Sequence, residues 1–161
     1  MTTMQLDKID IKILSLLQQH GRLSNQELAA LVGLSPSPCS RRVKALEDSG
    51  IITGYATLVS PEFFNLHLTA YVQVRLEKHN QRVLNAFEQA MNHYDEVLEC
   101  CLLTGSDADY QLKVLVADME AFKHFLLEKL TTNQDIAGIR SSFVLKQAKN
   151  HTAIPLPKSY D

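Results

Sequence analysis

The sequence predicts an α+β protein in two parts: three short helices, then a strand-helix-strand unit that occurs twice. Two observations predict this. Apolar residues recur at helical spacing up to Gly50, and from Leu68 onward they alternate or form short apolar runs. A third, the break at Ser60-Pro61, separates the two regimes. The boundaries that follow are a helical domain over 1–50, a hinge strand and linker over 51–66, a mixed domain over 67–149 and a tail over 150–161.

The first helix runs from Leu6 to Gly21. Asp7 can cap it, Leu6, Ile9, Ile13 and Leu17 form one apolar stripe widened by Leu14 and Leu16, and Gly21 ends it. Arg22 stands just before the next helix, within reach of a phosphate or idle in solvent. Ser24 followed by Glu27 is a capping box, in which each side chain satisfies a backbone N–H at the helix start. Leu28, Leu31 and Val32 then recur at helical spacing, and Gly33 supplies a left-handed residue that ends the helix. Leu34 plugs the space before Ser35-Pro36-Ser37-Pro38, which offers two N-cap-plus-proline starts in a row. Three helices with so tight a turn make a winged/helix-turn-helix unit.

The phase of the third helix decides its use. Advancing about 100° per residue from Cys39, Val43 and Leu46 fall within about 40° of it. They are the buried stripe. Ser37, Ser40, Arg41 and Lys44 cluster on the far side, with Arg42 on a flank. Such a face suits the major groove of DNA, where Arg reads guanine edges while Ser and Lys reach phosphates and bases. The candidate DNA-binding residues are therefore Ser35, Ser37, Ser40, Arg41, Arg42 and Lys44, with Arg22 and Ser24 at the start of the motif.

After Gly50, Ile51 to Val59 is extended and reads as a strand-like hinge. Leu68, Ala70, Val72, Val74 and Leu76 then alternate as a half-buried strand. Val83, Leu84, Phe87 and Met91 mark a helix, and Val97 to Leu103 a second strand. Thr104 to Asp109 is a polar loop. Tyr110, Leu112, Val114 and Val116 alternate on a third strand, and Asp118 caps a helix with Met119, Phe122, Leu126 and Leu130 on one side. Ile139, Ser141, Phe143 and Leu145 close the series. The order is the ferredoxin-like βαββαβ arrangement. The tail, Ala153-Ile154-Pro155-Leu156-Pro157, cannot be regular structure and is free to lie across a neighbour.

Composition bounds the rest. With 161 residues, 45% of them hydrophobic, the chain can bury a real core. No run is apolar enough to span a membrane, and the polar N-terminus is no signal peptide, so the expected compartment is the cytoplasm. Net charge is −2, an unpromising value for a DNA binder, but it divides unevenly. Residues 1–60 hold six Lys/Arg against five Asp/Glu, and the remainder ten against thirteen. The basic footprint is local and small, so useful affinity requires several copies on one DNA. Three cysteines, two of them adjacent, make no disulfide framework. Cys39 falls on the apolar stripe as a small packing residue, while Cys100 and Cys101 point to opposite faces of a strand. The six histidines lack the paired spacing of a metal site, and no Gly-rich phosphate loop or nucleophile-base pair occurs. No cofactor is expected.

The runs LDKIDIKILSLLQQHGRLSNQELA, VGLSPSPCSRRVKALEDSGII, GYATLVSP, TGSDADYQLKV and SSFVLKQ resemble the Lrp/AsnC family of bacterial and archaeal regulators over nearly the full length. The resemblance implies an N-terminal domain that binds double-stranded DNA and a ferredoxin-like domain that binds an amino acid. It also implies homodimers that assemble further, often into octameric rings. Carried over residue by residue, it makes Ser35 to Lys44 the DNA reader. Gly105, Asp107, Asp109 and Tyr110, with Thr104 and Ser106 beside them, become the loop around an amino-acid effector. Asp carboxylates and loop carbonyls suit an ammonium, and amides near Gly suit a carboxylate. The family loop usually reads Gly-Asp-X-Asp-Tyr. Here Gly105-Ser106-Asp107-Ala108-Asp109-Tyr110 carries one residue more, and Gln134-Asp135 stands where Pro-Gly is common. Leucine or methionine is the first expected effector, then cysteine and lysine. Two alternatives share the fold: a haem-pathway decarboxylase acting on a tetrapyrrole, and an amino-acid-binding module without DNA binding. The intact Ser-Arg face favours the regulator over both.

Overall fold

The computed structural model describes residues 5–157, which divide into two units: the chain up to Leu58 together with the stretch from Lys149, and Val59–Ala148. In the first unit, α1 (Lys8–Gln19) starts at Asp7, whose carboxylate accepts from the Ile9 and Asp10 amides. Asp10 returns the bond to the Asp7 amide and closes a capping box. The helix ends one residue earlier than expected, with His20 as C-cap and Gly21 in the following turn.

Helix α2 (Asn25–Val32) carries the expected Ser24–Glu27 capping box and stops at Gly33, whose φ of 80° is left-handed. Its buried positions are Leu28, Ala29 and Val32, whereas Leu31 is 48% exposed. Helix α3 (Pro36–Asp48) takes the first of the two proline starts, with Ser35 as N-cap. Cys39 and Leu46 are fully buried against Ile13 and Leu28, with Val43 packed beside them. Residues 51–59 form no strand among the described residues. Ile52 donates to the Leu46 carbonyl and the Tyr55 hydroxyl to Glu47, but beyond them the segment has no ladder partner, and a strand requires one.

In the tail, Ile154 pairs with Gln18 of α1, its amide donating to Oε1 at 2.7 Å and its carbonyl accepting from Nε2 at 3.4 Å. Leu156 packs against the three-helix core.

The second unit is a four-stranded antiparallel sheet in the order β2-β3-β1-β4, with β1 (Leu68–Leu76), β2 (Val97–Leu102), β3 (Tyr110–Val116) and β4 (Ile136–Phe143). Helices α4 (Gln81–Met91) and α5 (Met119–His124) cover one face, burying Val83, Phe87, Met91 and Phe122 against Ala70, Val72, Val74, Leu112 and Val114. That is the ferredoxin-like arrangement. Two details differ from the sequence expectation. After α5 the chain continues as a π-helical segment, Phe125–Leu130, in which Phe125 and Leu130 are buried with Phe122, while Met119 at the start of α5 is 54% exposed. Strand β4 ends at Phe143, so Leu145 lies beyond the ladder and is fully exposed.

Candidate functional site

The surface of α3 is set by what holds its other side. Gly33 turns the chain, the Leu34 amide returns to the Ala29 carbonyl, and Asn25 Nδ2 donates to the Pro36 carbonyl at 2.8 Å. The starts of α2 and α3 are thereby tied together. With Cys39 and Leu46 buried, Ser37, Ser40, Arg41 and Lys44 are exposed on the outer side. Ser35 makes no side-chain cap bond, and Arg41 and Lys44 take part in no ion pair among the described residues. Arg22 is exposed in the loop ahead of α2.

Two candidates are engaged inside the domain instead. The Ser24 hydroxyl donates to Glu27 Oε2 at 2.7 Å and accepts from the Glu27 amide. Those bonds from the Ser24 hydroxyl and amide lower the Glu27 pKa. Arg42 Nη1 lies 2.7 Å from both Asp7 Oδ2 and Asp10 Oδ1 on α1. The Asp10 amide and the Arg42 pair hold the Asp7 carboxyl below its ordinary range, and the Asp10 and Asp7 partners raise the Arg42 pKa. Sequence spacing left Arg42 on a flank because its partners lie a whole helix away.

The loop between β2 and β3 behaves similarly. Of the six residues expected around an effector, Asp107 lines an open cleft of about 360 Å³. Gln73 and Arg75 of β1 and Gly138 and Arg140 of β4 form its other walls, with Ile139 and Ala108 as apolar lining. Thr104 and Gly105 are exposed, and Gly105 has φ 82°. The Ser106 hydroxyl closes a local turn, donating to the Ala108 carbonyl at 2.7 Å.

Asp109 and Tyr110 point elsewhere. Asp109 Oδ2 accepts from the Leu76 amide at 2.7 Å, and Oδ1 lies 2.8 Å from His79 Nε2. The carboxylate thus fastens the loop to the end of β1. Tyr110 is buried, its ring tilted 40° against Phe87 with centroids 4.6 Å apart, and its hydroxyl donates to Glu88 Oε1 at 2.8 Å. Burial, then the Glu88 bond, pushes the phenol far above its ordinary range. Tyr110 is turned inward because β3 alternates and its face is the core face with Leu112 and Val114, whereas Asp109, just ahead of the strand, is turned by the Leu76 amide. Conversely, Arg75 and Arg140 occupy the opposite face, paired across β1 and β4 through Arg75↔Gly138 and Gln73↔Arg140. The signal for them was the complement of the apolar alternation in β1.

Cys39 is buried and Cys101 exposed, while Cys100 packs against the sheet core. Burial, then nearby Glu88, pushes the Cys100 thiol up to about 11, the opposite of a reactive thiolate. Among the described residues no group of His, Cys, Asp and Glu could hold a metal, and no helix is long and apolar enough to cross a membrane.

A family profile described as winged helix-turn-helix DNA-binding matches residues 6–53, and one described as Lrp/AsnC ligand binding domain matches residues 69–154. The chain is 41% identical to the Bkd operon transcriptional regulator of Pseudomonas aeruginosa over 152 residues, covering 94% of this chain and 99% of that one. It is 40% identical to the leucine-responsive regulatory protein of Escherichia coli over 144 residues, 89% of this chain and 87% of that one. Among solved structures it resembles a transcriptional regulator of Neisseria meningitidis in complex with L-Met. The TM-score is 0.90 and the identity 47%, over 94% of this chain and 97% of that one.

Proposed function

We propose a working mechanism from one premise: the chain belongs to the Lrp/AsnC family and is a DNA-binding transcriptional regulator, not an enzyme. In our reading α3 is the DNA reader. The observation that carries this is its outer side, where Ser37, Ser40, Arg41 and Lys44 are exposed together at the end of a capped, tightly turned helix pair. Arg41 reads base edges, Lys44 and Arg22 neutralise phosphate, and the uncapped first turn at Ser35 adds a favourable helix dipole for an anion. A bacterial chromosome as partner puts the protein in the cytoplasm.

The effector is an amino acid, with leucine or methionine tried first. Asp107 meets its ammonium, Arg75 and Arg140 its carboxylate, and Ala108 lies beside its side chain. The Neisseria meningitidis structure holds L-Met, and the Escherichia coli relative is named leucine-responsive, which supports this class of ligand. The protein acts as dimers that assemble further. Exposed Leu58, Val59, Phe63 and Phe64 supply apolar surface for a second copy to cover. Effector binding acts only by as much as it prefers one assembly or one arrangement of DNA-binding heads.

The test has two arms. A duplex selected by the protein from a random-sequence pool is titrated with and without each of the twenty amino acids, and thermal melting is followed with the same set. Selection of no duplex removes the DNA reader; a flat melting response to all twenty removes the effector.

A further inference from the structure

We infer that Arg42 is a positioning residue of the DNA reader: through Asp7 and Asp10 it fixes the rotation of α3 about its own axis and does not touch DNA. The inference rests on the reading of α3 as the DNA-contacting helix. The apolar stripe of Cys39, Val43 and Leu46 seats α3 on the core, but burial is non-directional and tolerates rolling. Charge-assisted hydrogen bonds are directional. Arg42 lies about 60° from Cys39, on the side opposite Val43, where a tether to α1 resists roll. A roll of one residue step, about 100°, would carry Ser40, Arg41 and Lys44 off the groove.

The two carboxylates that hold Arg42 Nη1 also hold each other's helix start. Asp7 Oδ1 caps α1, Asp7 Oδ2 and Asp10 Oδ1 both face Arg42 Nη1, and Asp10 Oδ2 accepts from the Asp7 amide. Asp10 is the one charged residue buried among those described, at 3% exposure. Withdrawing Arg42 toward a phosphate would strand that carboxylate without its cation, a costly step. The guanidinium therefore stays, and the helix it belongs to stays aimed.

The two roles predict opposite signs when the carboxylates are neutralised. Asp7→Asn with Asp10→Asn removes two negative charges near the DNA face, and Asn caps a helix about as well as Asp. If Arg42 positions α3, this variant binds the selected duplex about tenfold more weakly, within the range of coupled networks. Its affinity for a scrambled duplex of equal length is unchanged or slightly higher. Arg42→Met gives a similar loss, and the triple variant is no worse than either. If the carboxylate variant binds the selected duplex as tightly as the wild type or more tightly, or if the losses multiply, the inference is overturned. Asp7→Asn alone, at a half-exposed site, gives the same sign at about threefold and guards against misfolding of Asp10→Asn. Melting curves confirm that each variant retains its helices. A wild type that selects no duplex overturns the reader itself, a distinct result.

Discussion

Replacing Arg41 and Lys44 together by alanine removes the two exposed cations of α3 that have no ion-pair partner among the described residues. The magnitude follows from counterion release. Each phosphate neutralised contributes about 0.9 to the slope of log affinity against log salt, and of the pair only Lys44 is assigned to a phosphate, so the slope falls by about 0.9 per protomer while the loss of Arg41 weakens binding to the selected duplex at every salt concentration. Between 50 and 200 mM salt, a fourfold step, that slope corresponds to about 3.5-fold in affinity per protomer. The assay is a duplex titration at several salt concentrations, with a melting curve as control. Stability should change by less than about 0.5 kcal/mol, because both side chains are on the surface. A variant with the wild-type slope would refute the assignment of Lys44 to a phosphate, and one with undiminished affinity for the selected duplex would refute Arg41 as a base reader.

Other outcomes follow from the second unit and from the caps. Arg140→Ala and Asp107→Asn, on the cleft walls, should each abolish the melting shift produced by millimolar methionine or leucine while leaving the apo melting point nearly unchanged; a preserved shift would move the effector elsewhere. Tyr110→Phe keeps the ring on Phe87 but leaves Glu88 without its donor, costing about 1 kcal/mol in urea unfolding with no change in effector response. The lowered Asp7 and Glu27 carboxyls contribute stability that is complete above their ordinary values of 3.8 and 4.5 and is lost as pH falls through the folded values. Melting of the first unit should therefore decline below about pH 4, and Asp7→Asn should start lower and decline less steeply. An identical decline in both proteins would exclude Asp7 as a cause.

How much of this was legible in the sequence depended on the distance between cause and effect. Capping boxes, the left-handed Gly33 and the phase of α3 are decided by residues three or four apart, and the structure keeps them. Tyr110 was a case of two readings in conflict. Alternation placed it with Leu112 and Val114 on the buried face, whereas the family resemblance placed it around a ligand, and the side chain follows the alternation. Arg42 and Asp109 escaped because their partners, Asp10 and the Leu76 amide, are more than thirty residues away in the chain. The π-helical segment after α5 breaks the 3.6-residue period on which the placing of Met119 with Phe122 rested, and its buried residues are Phe125 and Leu130. The hinge lacked a strand because strandness needs a neighbour as well as a pattern.

The docking of Ile154 and Leu156 beside α1 bears on anyone dissecting the gene. The helix-turn-helix unit draws on two separate stretches of the chain, so a fragment cut after Leu58 would expose the flank of α1 that Leu156 covers and forfeit the Gln18 bracket. Removing residues 150–157 would strip the same two contacts from a unit folded from residues more than ninety positions upstream.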